Sequence, residues 1–138
     1  MKTDFETLLI SLLPLGGTFL MRNEFSTGEF KDGPYTFKKG KGWYTIYPEK
    51  QQNSERASHI HLRAQELSFA KIEVFEKRTP QLQFFDKKRE KAPLVFTFPS
   101  FYNWEKDAEP IQDHQKVFEN WVSQWGRDFE LGGENANS

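Results

Sequence analysis

His59 and His61 stand one residue apart in "SHIHLR", and Arg63 follows at the same interval. Residues at i, i+2 and i+4 of a β-strand point to one face, with neighbours on that face ~6.6 Å apart. Two imidazoles so placed can ligate one small metal ion, as in zinc sites built from histidines. A zinc site needs a third ligand, and the chain offers either a carboxylate or His114, its only other histidine. On spacing alone the tripeptide reads first as two half-exposed histidines of a sheet face, and second as a metal pair.

Haem makes a different demand. Its iron takes an axial imidazole, thiolate, thioether or phenolate. Neighbours on one strand face cannot supply both axial ligands, so one histidine would bind iron and the other a propionate. The group also needs an apolar slot and cations for two carboxylates. The chain offers histidines, Arg63 on the same face, and an aromatic content of 16% with 14 Phe. Such an excess builds a core of large rigid side chains or lines an apolar pocket.

Other chemistries lack their signatures. There is no cysteine, hence no disulfide, thiolate metal site or catalytic thiol. "KKGKG", with Lys38, Lys39 and Lys41, lacks the strand–G-x-x-x-x-G-K-[ST]–helix context of a phosphate loop and reads as a solvated hairpin tip. "KKREK" reads the same way. Ser100 in "FPSF" has no elbow glycine. Glu66, Glu73 and Glu76 form no recognisable acid–base pair. Nothing here argues for catalysis. The net charge is −1, with +4 over residues 1–103 and −5 over 104–138. That balance argues against a dedicated nucleic-acid binder; its uneven spread is compatible with a small anionic ligand on the basic body and equally with no functional meaning.

The elements that must position these residues follow from pattern. Thr3 with Glu6 reads as a capping box that opens a short helix burying Phe5, Leu8, Leu9 and Leu12. The run Leu8–Leu15 is broken by Pro14 behind an acidic front. It is therefore neither a signal peptide nor a span, and a cytoplasmic, non-inserted protein is expected. "GTFLMRNEF" reads as a strand. "EFKDGPYTFKKGKGWYTIYPE" reads as strand, turn and strand, with "DGP" and "KKGKG" as turns. Trp43, Thr45 and Tyr47 fall on one face of the second, Tyr44 and Ile46 on the other. "KQQNSERAS" is a polar connection. In the strand that follows, Ile60 and Leu62 oppose the His59, His61 and Arg63 face. "AQE" interrupts before the strand "LSFAKIEVFEK". "QLQFFD" and "PLVFTFPSF" form a hairpin, with Pro93 at a strand start. Phe118, Trp121, Val122 and Trp125 recur at helical spacing after Pro110, and Gly126 is the stop. Trp104, Trp121 and Trp125 read as core or interface. The class is α+β: a mostly antiparallel sheet with helices at both ends of the chain, one domain over 1–131 and a disordered tail over 132–138.

The order of these pieces resembles the intracellular haem-utilisation family, the ChuX/HutX-like haem carriers and the half-repeat of HemS-type proteins. The residues that carry the resemblance are Gly40, Gly42 and Trp43 in a glycine-aromatic strand; His61, Leu62 and Arg63; and Leu82, Phe84, Phe85 and Asp86 before a charged tip. It covers about residues 28–100, with "QFFDKKREK" its most specific part. It implies a HemS/ChuX-like fold, a homodimer, and cytoplasmic binding and handover of haem or a related tetrapyrrole in an aromatic cleft. His61 would be the iron ligand and His59 its substitute or supporting partner. Arg63 would pair with a propionate, assisted by Lys71 or Lys41. The chain departs from the family in "FLMRNEF", where no histidine stands and only Met21 and Arg22 occupy the region of a second ligand. "EKRTP" is shorter than the family's usual connection. Three rival readings are a non-haem apolar-ligand module on the same fold, a metal-dependent enzyme using the His59/His61 pair, and a purely structural or partner-binding protein.

Overall fold

Phe5, Leu8, Leu9 and Leu12 form one apolar stripe, and helix α1 (Phe5–Leu12) buries all four. Its cap is Asp4, whose Oδ1 accepts from the Thr7 N–H at 2.7 Å. The Thr3/Glu6 capping box is therefore not formed. Thr3 belongs instead to strand β1 (Lys2–Thr3), where it opposes Leu131, and Glu6 turns toward Lys39 and Tyr44.

This computed structural model describes residues 1–23, 26–30, 34–51, 59–76, 78–88, 92–103 and 105–132. The expected "DGP" turn, most of "KQQNSERAS", part of the "KKREK" tip, Trp104 and the tail beyond Gly132 lie outside the described residues. The strands after β1 are β2 (Thr18–Arg22), β3 (Thr27–Phe30), β4 (Tyr35–Gly40), β5 (Trp43–Pro48), β6 (Ile60–Leu62), β7 (Leu67–Glu73), β8 (Gln81–Asp86) and β9 (Leu94–Thr97). β10 (Tyr102–Asn103) and β11 (Glu109–Pro110) are short, and β12 (Asp128–Leu131) follows helix α2 (Gln112–Trp125).

The strands divide into a seven-stranded sheet of order β1-β12-β7-β8-β9-β2-β3, a three-stranded sheet β4-β5-β6, and the small pair β10-β11. All described pairings are antiparallel except β1 with β12. The fold is α+β, mainly antiparallel, with its two helices near the ends of the chain, as the pattern predicts. β12 was not predicted: four residues with two buried positions give too short an alternation to stand out from sequence.

The main core lies between the inner face of the large sheet, the two helices and the inner face of the small sheet. Phe5 meets Tyr44 of β5 and Phe84 of β8 edge-on, with ring centroids 5.2 and 5.4 Å apart. α1 thus bridges the two sheets. Trp121 of α2 packs on Phe98 and Phe129, and its indole N–H donates to Ser11 Oγ at 2.9 Å. Gly126, at φ +95°, ends α2 with its N–H bonded to the Val122 carbonyl. The aromatic excess goes chiefly into this core: Phe5, Phe19, Phe84, Phe96, Phe98 and Phe129 are fully buried.

Candidate functional site

The three-stranded sheet sets the geometry of His59, His61 and Arg63. β4 and β5 are joined by Lys41 and Gly42, both at positive φ (55° and 82°), as a two-residue hairpin turn requires. β5 then pairs with β6 so that Tyr44 opposes Leu62, Thr45 opposes His61 and Ile46 opposes Ile60. Opposed residues share a face. Tyr44, Ile46, Ile60 and Leu62 are all buried toward the core. The Tyr44 hydroxyl reaches Glu6 Oε1 at 3.2 Å, and Lys39 Nζ lies 2.7 Å from the same oxygen. One face of this sheet is therefore held against α1, and strand alternation turns the other outward.

The outward face carries three rows. Lys38, Thr45 and His61 form the middle row. Continuing the same register, Gly40, Trp43 and Arg63 form one flank, and Thr36, Tyr47 and His59 the other. His59, His61 and Arg63 are all exposed, as their alternation with Ile60 and Leu62 predicts. The two imidazoles meet edge to face with centroids 4.5 Å apart. His61 Nδ1 is in hydrogen-bond contact with Thr45 Oγ1 at 3.1 Å. The Arg63 guanidinium sits 5.5 Å from the centroid of the Trp43 ring, and Lys38 Nζ 5.8 Å from that of Tyr47. Trp43 is 44% exposed, whereas Tyr47 is only 6% exposed. Trp43 is thus the principal apolar surface of this face.

Several expected participants are elsewhere. Lys71 lies on β7 of the large sheet, 2.6 Å from Glu73 and over the Phe85 ring. It is not on the histidine face, because its strand belongs to the other sheet. Lys41 stands in the β4–β5 turn. Met21 packs against the core, and Arg22 Nε donates to the Ala92 carbonyl at 2.7 Å. His114 is occupied at the start of α2, with Nδ1 2.7 Å from the Ser100 carbonyl oxygen. Among the described residues no third His, Cys, Asp or Glu joins the pair. Ser100 Oγ donates to the Tyr102 carbonyl at 2.8 Å.

Thr45 and Lys38 were not singled out from sequence as partners of His61. Parity does place Thr45 on the same side of its strand as Trp43. Its position opposite His61, however, depends on a pairing across the connection between β5 and β6, which alternation alone does not fix.

Two clefts lie away from the histidines. One of about 520 Å³ is lined by Leu20, Arg22, Phe75, Arg78, Gln81 and Thr97, among others. Another of about 360 Å³ lies between α1 and α2, beside Trp121 and Trp125.

No protein-family model and no curated protein matches the chain. Solved structures do. A crystal structure of ChuX superposes with a TM-score of 0.64 at 14% identity, covering 87% of this chain and 71% of that one. A structure described as the heme binding protein ChuX gives a TM-score of 0.60 at 14% identity with the same coverage. A protein from Agrobacterium tumefaciens gives 0.64 at 11% identity, over 88% of this chain and 66% of that one. The chain has the ChuX-like fold.

Proposed function

We propose that residues 1–131 form a single haem-utilisation-like domain that binds haem, or a related tetrapyrrole, for carriage in the cytoplasm. The observation that carries this reading is the outward face of the β4-β5-β6 sheet. On a ChuX-like fold it gathers an exposed imidazole, a second imidazole beside it, and two cations in a single patch.

The donor set fits the group. Haem, when bound, supplies an iron that takes an axial imidazole and two carboxylates that take cations. His61 offers Nε2, since Nδ1 is engaged by Thr45. His59 stands beside it as substitute ligand or propionate partner. Lys38 stands in the middle row and Arg63 on one flank, and both are suited to the carboxylates. Lys38 is proposed for the assisting role that the resemblance gave to Lys71 or Lys41. Trp43 supplies apolar contact for one ligand face.

The reading includes a homodimer. On the outer face of the large sheet the partly buried Leu20 and Phe69, packed against buried Phe85, Ala92 and Val95, are the apolar surface proposed to meet a second copy of the chain. No helix among the described residues is long and apolar enough to cross a membrane.

Titration of the purified chain with hemin tests the reading. A saturable Soret shift that is lost in His61→Ala is expected. Hemin binding no tighter than to an unrelated control protein would overturn it. Light scattering at micromolar concentration tests the dimer, and a monomeric mass would count against it.

A further inference from the structure

The same face holds an arrangement whose chemistry does not depend on a tetrapyrrole. We infer that His59 and His61 form a two-imidazole chelate for a free divalent transition-metal ion, with Thr45 as its positioning residue.

Three observations carry this. The first is separation. Two imidazoles bound through nitrogens ~2.0 Å from one metal have ring centroids roughly 4.5 to 5.2 Å apart, for angles between a right angle and the tetrahedral value. The His59 and His61 rings stand 4.5 Å apart at an interplanar angle of 71°, a separation within that span, set by the rotamers of two side chains on one strand face. The second is orientation. A ligating histidine characteristically donates its other ring N–H to an oxygen, which fixes the tautomer and makes the ligating nitrogen more basic. When Nδ1–H of His61 donates to Thr45 Oγ1, 3.1 Å away, the lone pair lies on Nε2, on the open side of the face. The third is the surroundings. The Arg63 and Lys38 cations lie over the Trp43 and Tyr47 rings of the flanking rows, and both histidines are exposed.

No further His, Cys, Asp or Glu completes the set among the described residues. The remaining coordination positions are left to water or an external ligand. Imidazole suits copper, nickel and zinc, and copper(II) binds most tightly among them. The site therefore takes copper(II) in preference and holds it as an open, exchangeable two-nitrogen complex rather than as a closed structural centre.

Copper(II) chloride titrated into the full chain, in a buffer that does not coordinate metals, tests this by calorimetry and by pulsed electron paramagnetic resonance. One ion per chain with two imidazole nitrogens is expected. His59→Ala and His61→Ala should each weaken binding at least tenfold and leave a single imidazole in the spectrum. Thr45→Val should weaken it by about tenfold while both imidazoles remain, a pattern that a merely structural role for Thr45 would not produce. A wild-type spectrum with fewer than two imidazoles, or equal affinity in wild type and His61→Ala, would overturn the site. Unchanged affinity in Thr45→Val would remove Thr45 from it. These outcomes hold whether or not hemin binds.

Discussion

Gly17 runs directly beneath Phe96: a Cβ placed on it would stand 2.4 Å from the Phe96 ring and 2.3 Å from the Thr97 carbonyl oxygen. The backbone of the segment entering β2 therefore lies against β9 more closely than any side chain permits. Gly17→Ala is expected to destabilise the chain by roughly 1–3 kcal/mol through overpacking. Urea unfolding measures it, and a midpoint equal to wild type would contradict the close approach.

Ser68 Oγ is buried without a hydrogen-bond partner among the described residues, beside the register shift between Leu67 and Phe69 of β7. A buried hydroxyl without a partner costs stability that a methyl group does not. Ser68→Ala is expected to raise stability by about 1 kcal/mol. Thermal unfolding of the two proteins decides the sign, and a clear loss in the alanine variant would refute it.

Lys41 holds a left-handed conformation at φ 55° in the β4–β5 turn. Asparagine enters that region more readily than lysine and is favoured at the first position of this turn, before glycine. Lys41→Asn should stabilise the chain by roughly 1 kcal/mol and leave hemin affinity unchanged. A fall in affinity would instead place Lys41 among the ligand's cations.

Arg63 and Lys38 share the exposed face with His61. Each is exposed, so its contribution to a bound carboxylate is modest. Arg63→Ala and Lys38→Ala should each weaken hemin binding about fivefold, the equivalent of ~1 kcal/mol for an exposed ion pair. The losses should shrink as salt rises. Fluorescence quenching titrations at two ionic strengths measure both effects, and salt-independent losses would argue for packing in place of charge.

Much of the fold was legible before the structure. Phe5, Leu8, Leu9 and Leu12 repeat at helical spacing and are buried together. Phe118 and Trp121 mark the buried stripe of α2, and Gly126 ends it. The capping of α1 was misplaced by one residue, because Thr3 is drawn into a parallel pairing with β12, 128 residues away in the chain. No local pattern records a partner so distant.

The sequence by itself determined which side chains share a face. Alternation with a period of two put His59, His61 and Arg63 opposite Ile60 and Leu62, since each backbone step reverses the side chain. It also determined that the chain is α+β, through the change of period between strands and helices. Only the tertiary structure decided what stands beside those side chains. The pairing of β5 with β6 brings Thr45 to His61, and the anchoring of Tyr44 and Lys39 on Glu6 turns the histidine face outward. The division into two sheets sends Lys71 away from the histidines and Lys38 toward them. The physical reason is register. Alternation fixes the side of a strand, but the neighbour across the sheet is chosen by whichever alignment buries the most apolar surface for the whole chain.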